Sequence, residues 1–136
     1  MTRKDKYEES FWFPNRVRKP PPLQELEIYH LLGYHKEGIE LEILDLRTLL
    51  PLDNEAIQKT VEKTNRVIIL HEDTKTGGIA GEIAAIINEL AFDSLDAPIT
   101  RITAMDTAVP FSPPLEKNFL PKVEDVVREA RRSVAY

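Results

Sequence analysis

VIILHEDTKTGGIAGEIAAIINEL, residues 67–90, reads as a strand, a tight turn and a helix in immediate succession. Val67-Ile68-Ile69-Leu70 is a continuous run of β-prone residues between polar flanks, the pattern of a strand covered on both faces. Gly77-Gly78 closes the polar turn. Ile79, Ile83, Ile86, Ile87 and Leu90 then recur at offsets 0, 4, 7, 8 and 11, one continuous stripe on a helix. Ala80, Ala84, Ala85 and Ala91 keep much of the remaining helix surface small, which permits close packing on a second side. A covered strand that feeds such a helix is the unit of a parallel sheet.

The flanks repeat the theme. Upstream, Ile39-Glu40-Leu41-Glu42-Ile43 alternates strictly and predicts a strand with one wet face. Asp53 is placed to cap a helix carrying Ala56, Ile57 and Val61. Downstream, Pro98 precedes a predicted strand over Ile99 to Thr103, and a proline-rich connection follows with Pro110, Pro113 and Pro114. Pro121 suits the first turn of a last helix whose stripe is Val123, Val126, Val127, Ala130 and Val134. Arg128, Arg131 and Arg132 near its end complement the helix dipole. Before all of these, Leu23, Leu26, Tyr29 or His30, and Leu31 predict a helix that Gly33 or Gly38 ends. Helices alternating with strands predict an α/β fold, with a mostly parallel sheet between helical layers.

Residues 1–22 differ in character and predict an extended arm outside the domain of residues 23–136. Phe11-Trp12-Phe13 each bring about 150–250 Å² to bury, so the arm docks either on its own domain or on another chain. A length of 136 residues suits one domain. The net charge of -5 argues against general nucleic-acid binding, which rests on neutralising phosphates. No apolar run approaches the roughly 18 residues of a membrane span, and no apolar stretch follows the basic N-terminus as in a secretory signal. Cysteine is absent, which removes disulfides, thiolate metal sites and a Cys nucleophile, and fits a reducing, cytoplasmic location.

Motif chemistry is sparse. Thr76-Gly77-Gly78-Ile79-Ala80-Gly81 places Gly78 and Gly81 at the second and third glycines of a dinucleotide fingerprint, but Thr76 stands at the first. The glycine pair is either a phosphate or nucleotide site at a helix N-terminus or simply a turn, with Gly81 letting the helix approach the sheet. His71-Glu72 ends a central strand without an identifiable partner for acid–base work. His30 and His35 lie five apart, off a common helical face, so no metal site is expected. Asp93, Asp96 and Asp106 read as caps and surface charges.

Four segments carry a resemblance: GIELEILDLRTLLPLD (38–53), RVIILHEDTKTGG (66–78), GEIAAIINELAFDSLDAPITRITAMDT (81–107) and PFSPPLEKNFLP (110–121). Together they resemble the C-terminal domain of the E1 β subunits of 2-oxo acid dehydrogenases, the transketolase C-terminal domain family. His71-Glu72 with Thr76-Gly77-Gly78 is most similar to the branched-chain, 2-oxoisovalerate type, with the pyruvate and acetoin types close by. The resemblance implies a three-layer α/β/α domain with a mixed five-stranded sheet. It also implies an enzyme of α and β subunits that decarboxylates a 2-oxo acid with thiamine diphosphate and Mg²⁺ and passes the acyl group to E2.

In that family the cofactor sits between the α subunit and the preceding domain of β, and this sequence has no G-D-G…N thiamine motif. The resemblance therefore assigns this chain no catalytic, cofactor-binding or metal residue, and predicts an isolated chain without activity. The implied role is assembly with E1 α and β subunits and with the E2 subunit-binding domain, in a homo- or hetero-oligomer. His71, Glu72, Asp106 and Tyr136 with its carboxylate are the candidate contact residues. The chain departs from the family in being too short for a complete β subunit. It also carries Phe11–Pro22 where the family has a central strand, so Glu9–Val17 or a second chain is expected to fill that place. The rival readings are a phosphate-binding module at Gly77-Gly78 and a truncated product without its partner.

Overall fold

Asp53 opens the first described helix of the structure, a computed structural model that describes residues 39–136. Its Oδ1 accepts the Ala56 N–H at 2.9 Å, and helix α1 runs Asn54–Thr64 with Ile57 and Val61 inward. The helix ends at Asn65 in the left-handed region (φ 59), where its N–H returns to the Val61 carbonyl at 2.8 Å. Strand β1, Ile68–Thr74, follows at once. Helix α2, Ala80–Ala91, and a short 3-10 turn, Phe92–Ser94, carry the chain to β2, Thr100–Ala104. The two strands pair in parallel, Ile68 opposite Thr100 and Leu70 opposite Ile102, with an irregularity before Thr74 meets Ala104. Helices α3, Pro113–Phe119, and α4, Val123–Val134, complete the described chain.

Strand β1 divides two cores. Ile69 joins Ile57 and Val61 of α1 and Ala80, Ile83, Ile87 and Ala91 of α2 on one face. Ile68 packs against the other core, Ile102 with Val126, Val127 and Ala130 of α4. Helices α1 and α2 thus cover one face of the sheet and α4 the other, because successive strand residues point to opposite sides. This is the layered α/β arrangement with parallel strands that the sequence predicts.

Several details differ. Ile39–Ile43 forms no ladder with the described strands, although its alternation survives as burial: Ile39, Leu41 and Ile43 are half-buried, Glu40 and Glu42 exposed. Leu41 packs on the α4 core, while Glu42 accepts from Thr60 Oγ1 at 3.3 Å and pairs with Lys63, both on α1. Side-chain pattern therefore orients the segment between the layers, but a strand also needs a neighbour for its backbone. Strand β1 is longer than the apolar run and is not covered throughout, since Leu70 remains 47% exposed.

The helices shift as well. The buried line of α2 is Ala80, Ile83, Ile87 and Ala91, with Leu90 exposed, because small residues occupy the closest approach to α1 and the sheet. In α4, Ser133 takes the inner position and Val134 the outer one. That helix starts at Val123, not Pro121, where the Asp125 carboxylate accepts the Lys122 N–H at 3.1 Å. The proline-rich connection contains a helix of its own, α3, whose first turn holds Pro113 and Pro114 without losing a hydrogen bond and whose end buries Phe119. The predicted arm 1–22, the helix near 23–36, His30, His35 and the pairing expected of Glu9–Val17 all lie outside the described residues. Among the described residues, no helix is long and apolar enough to cross a membrane.

Candidate functional site

The β1–α2 turn and the loop after β2 meet at the carboxyl ends of the two strands, as neighbouring parallel strands require. Thr76 is the joint. Its backbone N–H donates to Asp106 Oδ1 at 2.9 Å, and its hydroxyl donates to Asp106 Oδ2 at 2.8 Å. Both carboxylate oxygens are thereby engaged across 30 positions of sequence. Thr74 Oγ1 donates to the Thr76 carbonyl at 3.0 Å, and Arg101 reaches the Lys75 carbonyl at a long 3.5 Å. The turn is held on both sides.

These bonds favour the ionised form of Asp106. The Thr76 backbone N–H first, then its hydroxyl, and with smaller effect Lys75, hold the carboxyl below its usual range. A carboxylate stabilised in the folded state contributes stability above its unfolded value, and loses it as pH falls through the lower folded value. Asp106→Asn is therefore expected to flatten the loss of stability seen on acidification below about pH 4. Urea midpoints measured between pH 6 and 3 check this: parallel curves for the two proteins would remove Asp106 from the acid response.

His71 packs beneath the same turn. Its Nδ1 accepts the Asp73 N–H at 3.1 Å, so in the neutral ring the proton sits on Nε2, which is buried and meets no hydrogen-bond partner among the described residues. Gly78 lies directly against this ring: a Cβ there would stand 2.7 Å from His71 Cε1 and 2.1 Å from the Thr74 carbonyl oxygen. Gly77 serves differently, adopting φ +76 with open space where a side chain would be. Gly81 is under no such constraint, because its nearest neighbour would be the Arg101 guanidinium at 3.6 Å, an ordinary contact. The expectation that Gly81 permits close approach is thus corrected: Gly78 does so.

Of the four candidate contact residues, the structure brings together His71, Asp106 and, exposed on the strand between them, Glu72. Tyr136 stands elsewhere. It follows the end of α4, and the Ser133 carbonyl there accepts from Arg66, which precedes β1. Tyr136 therefore follows a helix end tied to the opposite end of β1. Thr76, which breaks the glycine fingerprint, proves to be the residue that joins the loops. No local signal could have found it, because its partner lies 30 residues on. With Asp106 and His71 Nδ1 both engaged, the arrangement suits a fixed surface that displays Glu72, Asp73 and Lys75, all exposed, rather than proton transfer.

Residues 26–126 match the family described as transketolase, C-terminal domain. The chain belongs to the transketolase C-terminal domain family. The match takes in His71, Glu72, Thr76 and Asp106 and stops ten residues short of Tyr136. Among curated relatives, the acetoin:2,6-dichlorophenolindophenol oxidoreductase subunit beta of Bacillus subtilis is 52% identical over 92 residues, which cover 68% of this chain and 27% of that protein. The 2-oxoisovalerate dehydrogenase subunit beta of the same organism is 47% identical over 98 residues, 69% of this chain and 30% of that one. Its pyruvate dehydrogenase E1 component subunit beta is 45% identical over 101 residues, 74% and 31%. The chain spans less than a third of the length of each of these relatives.

The described residues of this chain offer no fit for the thiamine diphosphate and Mg²⁺ that the resemblance implies for a complete enzyme. A diphosphate at the α2 N-terminus would need the space beside Gly78, which the His71 ring and the Thr74 carbonyl fill. Among the described residues, no three His, Asp or Glu side chains converge in a way that could hold a metal ion. The same packing accounts for the glycine pair as a turn, the simpler of its two sequence readings.

Proposed function

We propose that this domain is the assembly module of a thiamine-diphosphate-dependent 2-oxo acid dehydrogenase E1 component, working through contact with E1 subunits and E2. One observation carries the reading. The loop that begins at Asp106, and the helix it leads into, display Val109, Phe111 and Leu115 to solvent, with Met105 just before them and Phe111 fully exposed. A soluble surface rarely leaves so many large apolar groups in one short segment uncovered, and such groups anchor protein interfaces. The segment follows directly on the Thr76–Asp106 joint. Relatives that carry this domain bear the names of β subunits, which supports the reading.

The finer proposal is a 2-oxoisovalerate-type component, supported by His71-Glu72 together with Thr76-Gly77-Gly78; relatives of the acetoin and pyruvate types match at comparable identity. Rates of the reconstituted assembly on 2-oxoisovalerate, pyruvate and acetoin would decide among them. The assembly role itself is tested by capture of the E1 α subunit and the E2 subunit-binding domain from the same source. Phe111→Ser is expected to weaken capture at least about tenfold, the loss of one interface anchor, while leaving Tm within about 1 °C because the side chain makes no core contact. Full capture by the variant would remove this segment from the interface.

A further inference from the structure

Asn65-Arg66, at the start of β1, ties together two segments far away in sequence. Asn65 Nδ2 donates to the Ser94 carbonyl at 2.8 Å, and the Asn65 carbonyl accepts the Asp96 N–H at 2.8 Å. The left-handed backbone of Asn65 turns the next side chain toward the end of α4. There Arg66 Nε donates to the Ser133 carbonyl at 2.9 Å, and its Nη1 lies 3.4 Å from Asp96 Oδ2.

Apolar packing gives out along the last turn of α4. Val126, Val127 and Ala130 anchor the preceding turns in the core. Beyond them, among the described residues, Ser133 faces inward with a buried hydroxyl that meets no partner there, and Val134 and Tyr136 are exposed. The final carbonyls of a helix have no partner within it and carry the negative end of its dipole. A guanidinium beside them supplies both the missing donor and the opposite charge. Arg132 on the helix itself is turned to Glu129 instead.

We propose that Arg66 is the positioning residue that orders the last turn of α4, and so sets where Val134 and Tyr136 stand relative to the sheet. Its fork reaches Ser133 and Asp96 together, whereas a lysine ammonium at the same place reaches one of them well. The use of this order in docking rests on the assembly reading of Tyr136; the order itself does not.

Hydrogen exchange of the full chain, read by mass spectrometry segment by segment, tests the inference in Arg66→Met, Arg66→Lys and Asp96→Asn. Exchange of residues 131–136 is expected to rise about fivefold in Arg66→Met, with α1 and α2 within about twofold of wild type. Arg66→Lys recovers part of the protection, and Asp96→Asn loses less than Arg66→Met. Unchanged exchange at 131–136 in Arg66→Met, or an equal rise in every segment, overturns the proposal. Capture of the E2 subunit-binding domain by Arg66→Met and Tyr136→Ala is measured in parallel. A local rise in exchange with full capture by both variants supports the role of Arg66 and removes Tyr136 from the assembly reading.

Discussion

Gly78→Ala is expected to destabilise the domain by about 3 kcal/mol, a fall of roughly 10 °C in Tm. The added methyl would stand 2.1 Å from the Thr74 carbonyl oxygen and 2.7 Å from His71 Cε1. Neither neighbour yields cheaply. The carbonyl belongs to the backbone at the end of β1, and the ring is held by its Nδ1 bond to the Asp73 N–H. Relief would push the start of α2 away from the strand and open the core around Ala80, the most deeply buried of the described residues. Gly77→Ala is the control. It pays only for a left-handed backbone in open space, about 1 kcal/mol. Thermal and urea unfolding followed by circular dichroism compare the two. Elsewhere near a helix start, glycine to alanine tends to stabilise by restricting the unfolded chain, so the sign is informative. A Gly78→Ala protein as stable as wild type would mean that the turn does not pack on His71.

The second large effect belongs to α2. Ile87→Ala is expected to cost about 3–4 kcal/mol, whereas Leu90→Ala costs less than about 1 kcal/mol. Ile87 is 2% exposed within the core of α1, α2 and Ile69, while Leu90 is 41% exposed at the helix edge. Periodicity alone puts both residues on one stripe and predicts similar losses. Removing Ile87 leaves a cavity that neighbouring side chains, already close-packed, fill only in part. Removing Leu90 merely uncovers surface that water already reaches. Equal losses would place the buried line of α2 where periodicity alone puts it.

His71 links stability to function at one point. Because Gly78 bears on its ring, a substitution there that disturbs the fold also disturbs the turn displaying Glu72 and Lys75. Capture measured with Gly78→Ala would therefore mix two effects, and Phe111→Ser, outside every packed contact, is the cleaner probe of assembly.

Much of the fold is legible in local pattern. The Asp53 cap, the glycine turn and the valine-rich last helix are each decided within about one helical turn, since capping, φ preference and amphipathicity act over that range. The run Val67–Leu70 announces a strand for the same reason. Helix α3 was hidden because its prolines resemble a linker, and only the burial of Phe119 shows what the segment folds toward. The site was half visible. His71, Glu72 and Asp106 are evident as residues; that the last is bound to Thr76, and that Tyr136 follows a helix end tied to the far end of the strand, is not.

By itself, then, the amino-acid order determined the succession α1, β1, α2, β2 and α4, the approximate inner face of those elements, and the family resemblance that the comparisons bear out. The tertiary structure alone decided which distant residues meet: Thr76 with Asp106, Gly78 with His71, Arg66 with Ser133. The physical reason is range. Helix and strand periods repeat within a few residues, whereas a hydrogen bond between loops 30 or 67 positions apart exists only after packing has brought them together.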